Sequence, residues 1–314
     1  MNIAVLDAAT LGSDLSLAPL DAVGTVTVYQ NTAPSEIASR IADADAVVIN
    51  KIRLNESNLS GSSVRLICVA ATGYDNIDTA WCRDHGITVS NVIGYSTASV
   101  AQITVSMALY LTGHLPEYTR SVRSGFYSRS GIANQLTPVY HELAGKTWGI
   151  AGYGNIGRRV ADAARALGCR VIAFRRNPSD DAEYVDLDTL CRESDILSVH
   201  LPLCSETRGL FSAEKVALMK PDALFINVAR GAVADEKALA EALKAGRIGG
   251  LGIDVYSTEP FPESHPFFEI RESDRVCFTP HMAWGSVEAR CRCLDEIVLN
   301  IRSYINGTPR NCVN

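Results

Sequence analysis

Three short fragments in the second half of the chain carry an arginine, a glutamate and a histidine. Arg230 lies in the fragment NVARG, Glu259 in GIDVYSTEP and His281 in TPHMAW. An arginine can bind a carboxylate through two parallel hydrogen bonds, and a histidine exchanges a proton near neutral pH. A neighbouring carboxylate favours the protonated imidazole. These three side chains could therefore bind an anionic substrate and transfer a proton.

A glycine-rich fragment, GYGNIG at residues 152–157, could bind a pyrophosphate. It follows an apolar run at residues 147–151 and precedes a predicted helix at residues 158–167. In such a fragment the first glycine forms a tight turn, the second lets the backbone approach the phosphates, and the third allows the helix to pack on the strand. The helix N-terminus adds N–H donors. The fragment predicts a dinucleotide site that includes Gly152, Gly154, Asn155, Ile156 and Gly157.

The residues after the next predicted strand, 170–174, bear on the choice of cofactor. An NAD-binding fold usually has an acidic residue there, which accepts hydrogen bonds from the ribose hydroxyls. Here Arg175 and Arg176 follow the strand instead. Arginine can bind a 2′-phosphate, whereas a carboxylate would repel it, so the sequence favours NADPH over NADH. The alternative is that these arginines face solvent and that NADH is used.

Alternating strands and helices must position these fragments. The chain has 314 residues, of which 47% are hydrophobic and 20% charged, which is enough to form two domains. The alternation is typical of an α/β fold with doubly wound parallel sheets, in which ligands bind beyond the carboxyl ends of the strands. The predicted strands are residues 3–6, 26–29, 46–49, 66–70, 88–89, 147–151, 170–174, 196–200, 223–227, 250–254 and 275–279.

Residues 97–143 interrupt this alternation. Residues 97–111 are almost wholly apolar, which predicts a helix that is buried on all sides, between two domains. Residues 113–143 are polar and too long for a simple connection. They predict either a mobile loop or an arm that docks on a second subunit. The arm, and with it a homodimer, is favoured because the segment carries Tyr118, Phe126, Tyr127 and Tyr140.

Charge and cysteine content exclude several classes of protein. The net charge is −6 and no run of five basic residues occurs, so neither nucleic acid nor an anionic membrane surface is an expected partner. No apolar run approaches the ~20 residues of a membrane helix, and the N-terminus begins as a strand rather than as a signal peptide. Nine scattered cysteines indicate reduced thiols and no metal site. We expect a cytoplasmic protein.

Taken together, the fragments resemble the D-isomer-specific 2-hydroxyacid dehydrogenase family along nearly the whole chain. NVARG, GxDVxxxEP and TPHxA follow GxGxxG in the family's order, ATGYDNID at residues 71–78 is similar to its GxDxID turn, and HLP at residues 200–202 is similar to its HxP segment. The resemblance implies an NAD(P)-binding Rossmann domain at residues 97–285. It also implies a flavodoxin-like substrate domain formed by residues 1–96 and 286–314, with a cleft between the two domains.

The resemblance further implies a role for each matching residue. Arg230 binds the substrate carboxylate and polarises the keto group, His281 is the general acid for reduction, and Glu259 pairs with His281. These roles fit the chemistry, because hydride addition to a carbonyl carbon builds an alkoxide that needs a cation and a proton donor. The backbone of Thr72 and Gly73 helps to hold the carboxylate. The cofactor is also contacted by His200, Pro202, Thr207, Val228, Ala229 and Asp254. Of the remaining histidines, His265 is expected to be an ordinary surface or loop residue.

Two fragments narrow the substrate. Asn50 and Lys51 resemble part of the TNK segment of glycerate dehydrogenases, also called hydroxypyruvate reductases, and TPHMAW with the later EAR resembles their ending. Hydroxypyruvate and glyoxylate are the first expectation. Tyr74 and the residues near Asn50 also set the size of the pocket, so bulkier acids such as phenylpyruvate or 2-ketoisocaproate are the second. A remote alternative is a dinucleotide-sensing, corepressor-like binding protein.

Overall fold

Short apolar strands form two separate parallel sheets, one of five strands and one of seven. The computed structural model describes all 314 residues and divides them into two units, residues 1–96 with 284–314 and residues 97–283. Each unit contains one sheet with helices packed on it, as the α/β alternation predicts. The predicted fold class is confirmed. None of the helices has both the length and the apolar character that crossing a membrane would require.

The first unit is built on the five-stranded sheet. Its strands are β1 (Asn2–Val5), β2 (Thr25–Val28), β3 (Ala46–Ile49), β4 (Leu66–Val69) and β5 (Thr88–Ser90), and its first α-helices are α1 (Ile37–Ile41), α2 (Glu56–Leu59) and α3 (Thr79–Asp84). Short 3-10 helices lie at Ala8–Leu11, Ala18–Ala22 and Pro34–Glu36. The sheet order is β2-β1-β3-β4-β5, which is the flavodoxin-like order, with its switch point between β1 and β3. All residues of β3 and β4 are buried, because both faces of the sheet are covered.

The second unit is built on the seven-stranded sheet. Its elements are α4 (Thr97–Thr112), α5 (Leu115–Arg123), α6 (Phe126–Ser130), β6 (Thr147–Ala151), α7 (Asn155–Ala166), β7 (Arg170–Phe174), β8 (Glu183–Tyr184), α8 (Leu187–Glu193), β9 (Ile196–Val199), α9 (Ala213–Ala217), β10 (Leu224–Asn227), α10 (Glu236–Lys244), β11 (Gly250–Ile253) and β12 (Val276–Phe278), with 3-10 helices at Gly231–Val233 and Phe268–Ile270. The order is β12-β11-β10-β9-β6-β7-β8. It contains the Rossmann order, whose switch point lies between β6 and β9.

Two details of this sheet differ from the prediction. The strand β8 was not predicted, because it has only two residues and neither belongs to an apolar run. The helix α7 begins at Asn155, three residues before its predicted start. The glycine-rich fragment therefore includes the first turn of the helix, where backbone N–H groups have no intrahelical acceptor.

The helix α4 is not buried on all sides, so that prediction is wrong. Within its unit it packs against α7 and against β10, β11 and β12. Val100, Met107 and Leu111 are buried, whereas Leu109 and Tyr110 are 41% and 37% exposed. The sequence concealed this asymmetry because small and apolar residues occupy both sides of the helix.

Residues 113–143, predicted as an irregular loop or arm, contain the two short helices α5 and α6. The Tyr118 hydroxyl donates to the carbonyl oxygen of Pro138 at 2.5 Å, and Ser121 Oγ donates to Gln135 Oε1 at 2.5 Å. The residues after α6 therefore fold back on α5. Several large apolar side chains of this segment are nevertheless more than half exposed: Val122, Phe126, Ile132, Leu136, Val139 and Tyr140.

The last helix, α11 (Val287–Ile305), belongs to the first unit. It packs on β4 and on the 3-10 helix at Ala18–Ala22. Ser286 caps its N-terminus, since Ser286 Oγ accepts a hydrogen bond from Ala289 N at 3.2 Å. Arg290 donates to both carboxylate oxygens of Asp14, at 2.6 and 2.8 Å. Residues 284–314 thus complete the core that residues 1–96 begin.

Candidate active site

His281 and Glu259 form a hydrogen-bonded pair. Nδ1 of His281 lies 2.7 Å from Oε2 of Glu259, and the two side chains are 19% and 29% exposed. The backbone of His281 has a positive φ of 54°, a conformation that histidine adopts more often than most residues. Because Nδ1 faces the carboxylate, the orientation of the ring is fixed, and its opposite edge carries Nε2.

Asp254, which follows β11, holds the loop that carries His281. It is 1% exposed. Its Oδ1 accepts hydrogen bonds from Met282 N at 2.8 Å and from Thr279 Oγ1 at 2.5 Å, and its Oδ2 accepts one from Ala283 N at 3.0 Å. Burial raises the pKa of Asp254, and these hydrogen bonds oppose that rise. Asp254, which the family resemblance assigned to cofactor binding, is thus hydrogen-bonded to residues before and after His281 in the chain. A contact with the cofactor would be a second role.

Arg230 is presented by a turn directly after β10. Asn227 Nδ2 donates to the carbonyl oxygen of Arg230 at 2.9 Å, and Arg230 Nη1 donates to the carbonyl oxygen of Ala229 at 2.8 Å. The next residue, Gly231, lies against the loop of Glu259. A Cβ on Gly231 would be 2.0 Å from the carbonyl carbon of Tyr256. Only glycine therefore lets these two loops meet.

Tyr256 joins the loop of Glu259 to that of His281. Its backbone N–H donates to Glu259 Oε1 at 3.0 Å, and its hydroxyl donates to the carbonyl oxygen of Thr279 at 3.0 Å. Its ring packs against Phe261, Phe267 and Phe278. The loops after β10, β11 and β12, here called the catalytic loops, are therefore in direct contact. They carry Arg230, Glu259 and His281 to one edge of the sheet.

The glycine-rich turn after β6 has the geometry that a bound pyrophosphate requires. Gly152 has a φ of 100°, and a Cβ there would lie 2.8 Å from the backbone of His200. A Cβ on Gly157 would lie 2.2 Å from the carbonyl oxygen of Gly152. At Gly154, by contrast, a Cβ would meet nothing within 4 Å. Gly154 is the N-cap of α7 and the helix has no side-chain cap, so the N–H groups of its first turn, beginning with Asn155 and Ile156, face the space that a pyrophosphate would fill.

His200 lies beside this turn at the end of β9. Its Nε2 is 3.0 Å from Ser198 Oγ, which also accepts a hydrogen bond from Trp148 Nε1 at 2.9 Å. The ring is partly buried, its Nδ1 is fully buried without a hydrogen-bond partner, and burial lowers the pKa of His200 to about 3. The imidazole is therefore neutral at physiological pH. Beyond it, Thr207 Oγ1 donates to the carbonyl oxygen of Pro202 at 2.6 Å and closes the loop.

Arg175 and Arg176 begin the loop after β7. Arg175 is half-buried and its Nη1 lies 3.5 Å from Ser179 Oγ, whereas Arg176 is exposed. An acidic residue of the same loop, Asp181, accepts hydrogen bonds from Ser179 and from Tyr184 and forms an ion pair with Arg158. These hydrogen bonds, together with the arginine, lower the pKa of Asp181 to about 2.

In the first unit, the carboxyl ends of β1 and β3 meet at Asp7. Asp7 is 5% exposed, and its carboxylate accepts hydrogen bonds from the backbone N–H groups of Asn50, Lys51 and Ile52, at 2.6 to 3.2 Å. Asn50 is itself buried and donates from Nδ2 to Thr10 Oγ1 at 3.1 Å. Asp7 was not predicted, although it directly follows the predicted strand at residues 3–6, at the end of the sheet where ligands bind.

The predicted residues Thr72, Gly73 and Tyr74 follow β4 in the same unit. Thr72 Oγ1 donates to the carbonyl oxygen of Val92 at 2.9 Å, and Asn91 Nδ2 donates to that of Thr72 at 2.7 Å. Tyr74 is 38% exposed. These bonds fix the turn and use the side chain and the carbonyl oxygen of Thr72.

A second polar pair, formed by His265 and Glu236, was not predicted. His265, expected at the surface or in a loop, does lie in the loop after β11 but is only 7% exposed. Its Nε2 lies 3.0 Å from Oε2 of Glu236, which is 9% exposed. In the sequence Glu236 looks like an ordinary acidic residue in the first turn of a helix, so nothing there indicates its contact with a loop 29 residues away.

Comparison with known proteins agrees with this geometry. Residues 105–283 match the family model described as the NAD binding domain of D-isomer specific 2-hydroxyacid dehydrogenases. The chain is 37% identical to a glycerate dehydrogenase of Methylorubrum extorquens, over 91% of this chain and 90% of that one. It is 35% identical to a hydroxypyruvate reductase of Blautia hydrogenotrophica over the whole of both chains.

A solved structure extends the comparison to the fold. An acyclic imino acid reductase in complex with NADPH and D-Arg superposes with a TM-score of 0.90, at 28% identity and over the full length of both chains. The glycine turn, its uncapped helix and the adjacent half-buried arginine fit a nicotinamide dinucleotide as cofactor. By its family model and its relatives over nearly the whole length, the chain belongs to the D-isomer specific 2-hydroxyacid dehydrogenase family and is an oxidoreductase.

Proposed function

We propose that this protein reduces a small 2-keto acid to the D-2-hydroxy acid, with hydroxypyruvate or glyoxylate as the first substrates. The observation that carries the proposal is the His281–Glu259 pair, 2.7 Å apart, on loops in direct contact with that of Arg230. The relatives named glycerate dehydrogenase and hydroxypyruvate reductase support this substrate class.

Each of the three residues has a separate task in this reaction. The bound dinucleotide supplies the hydride. Arg230 binds the substrate carboxylate through its guanidinium and polarises the keto oxygen. His281 donates a proton to the developing alkoxide and accepts it in the reverse direction. Glu259 keeps the ring oriented through Nδ1 and offsets the positive charge of the protonated imidazole.

Residues of the first unit are the remaining candidates for binding the substrate. We assign the backbone N–H groups of Thr72 and Gly73 to the substrate carboxylate, and Asn50, Lys51 and Tyr74 to the rest of the molecule. Asp7 supports this assignment because it accepts hydrogen bonds from the backbone N–H groups of Asn50, Lys51 and Ile52 and so fixes this turn. A fixed turn loses little conformational entropy when a ligand binds.

For the cofactor, we infer a preference for NADPH over NADH. Arg175 and Arg176 directly follow β7, at the position of the acid that would accept from the ribose hydroxyls. Arg175 contacts a serine hydroxyl rather than a carboxylate. Asp181, the acid bonded in the same loop, is already paired with Arg158. A 2′-phosphate at this position would therefore lie near the guanidinium of Arg175 and the hydroxyl of Ser179.

We also propose a cytoplasmic homodimer. Residues 113–143 expose more large apolar side chains than a monomeric protein usually leaves in contact with water. A second copy of the chain would bury them. All nine cysteines are free thiols, which suits a reducing compartment. A monomer in light scattering at micromolar concentration would contradict the dimer.

Initial rates with hydroxypyruvate, glyoxylate and phenylpyruvate, each with NADPH and with NADH, test the proposal. We expect rapid hydroxypyruvate reduction with NADPH in the wild-type protein and a shift toward NADH in Arg175→Asp. The control is Arg247→Asp, which makes the same change of charge at an exposed position after α10 and should leave the cofactor ratio unchanged.

Other results would separate the parts of the proposal. Turnover of phenylpyruvate alone would keep the reaction type and overturn the substrate, in favour of bulkier acids such as 2-ketoisocaproate. A preference for NADH that Arg175→Asp does not alter would overturn the cofactor assignment. Dinucleotide binding without turnover of any 2-keto acid would favour the corepressor-like alternative.

A further inference from the structure

We propose that Glu236 and His265 are positioning residues for the acid–base pair. They form a buried carboxylate–imidazole pair, here called the clamp, that fixes the loop on which Glu259 stands. This inference rests on the proposed function, since it concerns how Glu259 is held against His281. Both act through the loop, by hydrogen bonds to Ser257 and to each other.

The loop that carries Glu259 needs such support. Residues 256–267 contain no helix or strand, and loops of this length are usually mobile unless side chains fix them. Yet Tyr256, His265 and Phe267 are all at most 9% exposed. The two ends of the loop are therefore anchored in the protein, while Glu259 lies between them.

Glu236 provides the anchor for both ends. Its Oε1 accepts a hydrogen bond from Ser257 N at 2.9 Å, and its Oε2 accepts from the Ser257 hydroxyl and lies 3.0 Å from His265 Nε2. One carboxylate in the first turn of α10 thus binds one residue before Glu259 and one after it. Three donors on two oxygens satisfy a buried carboxylate that has no cationic side chain beside it.

The hydrogen bonds of His265 determine its tautomer. Its Nδ1 accepts from Phe267 N at 3.2 Å, so the proton lies on Nε2, which donates to Glu236. The ring is also packed among Tyr256, Phe261 and Phe267. His265 is therefore held by both its nitrogens and its faces, and it has little freedom to adjust if Glu236 is altered.

Two consecutive amides connect the clamp to the acid–base pair. The N–H of Ser257 donates to Glu236, and the N–H of the preceding residue, Tyr256, donates to Oε1 of Glu259. The other oxygen of Glu259 faces His281. A shift of Ser257 would therefore displace the adjacent Tyr256, whose N–H orients Glu259, and it would change the contact with Nδ1 of His281.

The test compares Glu236→Gln with Glu241→Gln, which alters an exposed glutamate on the same helix that pairs with Lys237. In Glu236→Gln we expect kcat for hydroxypyruvate reduction to fall about 10-fold, with KM for NADPH changed less than about two-fold. The pH above which kcat/KM declines should move downward, because the protonated imidazole loses its aligned carboxylate. Glu241→Gln should match the wild-type protein.

Two further variants separate positioning from general stability. His265→Phe keeps the ring packing but removes the donor to Glu236, so its activity should fall. His265→Gln should keep more activity than His265→Phe, because its side-chain amide N–H can donate to Glu236. In a Glu259→Gln background, Glu236→Gln should lower kcat by less than about two-fold, since it acts through Glu259. An unchanged pH profile in Glu236→Gln, or a full additional loss in the double variant, would overturn the inference.

Amide hydrogen exchange tests the clamp without any substrate. Peptides from residues 255–267 should exchange faster in Glu236→Gln than in the wild-type protein or in Glu241→Gln. Equal exchange in all three proteins would show that Glu236 does not fix the loop. If the wild-type protein reduces no 2-keto acid, the proposed function fails, while this measurement still decides whether the clamp exists.

Discussion

The catalytic loops and the loops after β6, β7 and β9, here called the cofactor loops, lie on one sheet but are built differently. In the catalytic loops the polar groups bind one another: Asp254 binds both sides of His281, and Glu236 binds both ends of the loop of Glu259. At the turn after β6, by contrast, the backbone N–H groups at the start of α7 have no side-chain acceptor. The helix α7 has no side-chain cap, and Gly154 has no neighbour within 4 Å of its Cβ position.

This difference indicates which part of the site is complete before a ligand arrives. Groups that stabilise a transition state are most effective when they need no reorganisation during the reaction. Groups that bind a pyrophosphate must instead leave it room and donors. Under the proposed function, the catalytic loops are preorganised, whereas the turn after β6 would be completed by the dinucleotide.

The largest effect should come from replacing His281, the proposed proton donor on the catalytic loops. In His281→Gln, kcat should fall about 10³-fold because the proton donor is lost, while the Kd of NADPH should stay the same. The measurement is steady-state reduction of hydroxypyruvate together with fluorescence titration of the cofactor. His141→Gln, at an exposed position of the same unit, is the control. A variant that keeps a tenth of the wild-type kcat would assign the proton donor to another group.

A smaller effect is expected from His200, the partly buried imidazole beside the glycine-rich turn. Its folded pKa of about 3 lies below the ordinary value of 6.5, so on acidification the unfolded chain binds the proton first. Stability should decline as the pH falls from about 6.5 toward 3. Between pH 7 and pH 5 the wild-type protein should lose up to about 2 kcal/mol more of its unfolding free energy than His200→Gln.

Urea unfolding of both proteins at the two pH values measures this difference, and other titrating groups cancel in the comparison. Equal losses would mean that His200 titrates normally. Burial would then not keep this imidazole neutral.

The smallest effect on stability is expected at Gly154, which is compared with Gly231 of the catalytic loops. Gly154→Ala places a methyl group where only a ligand would meet it, so the unfolding free energy without cofactor should change by less than about 0.5 kcal/mol. The Kd of NADPH should rise about 10-fold, because the backbone can no longer approach the phosphates. Isothermal titration and urea unfolding supply the two values. Unaltered cofactor affinity would move the pyrophosphate away from this turn.

The matched variant on the catalytic side is Gly231→Ala, whose methyl group would meet the backbone of Tyr256. It should destabilise the protein even without cofactor, by more than about 2 kcal/mol. Stability that is unaffected by both alanines would mean that the catalytic loops are no more tightly packed than the cofactor loops.

The sequence was sufficient where local pattern and order carry the information. Alternating apolar runs predicted the strands of both parallel sheets except β8. That strand has only two residues, which is too short for an apolar pattern. The glycine spacing correctly predicted the turn before α7. Arg230, Glu259 and His281 were identified by their neighbours in sequence, and the structure brings their loops together.

The sequence was insufficient where a role depends on distant contacts. Glu236 reads as an acidic residue in a helical first turn, and only folding brings it to Ser257 and His265. The sequence did not show that α4 is buried on one side only, because Leu109 and Tyr110 are apolar yet exposed. Likewise, α5 and α6 were not predicted because their stability depends on residues that fold back on them, such as Pro138.

The close approach at Gly231 has a consequence for how this protein can change. A position that admits only a hydrogen atom ties the turn of Arg230 to the loop of Glu259, so neither can be lengthened or retwisted alone. Natural variation and laboratory redesign must therefore alter both loops in concert. New specificity is more accessible through the loop after β7, which contains no glycine in such a contact.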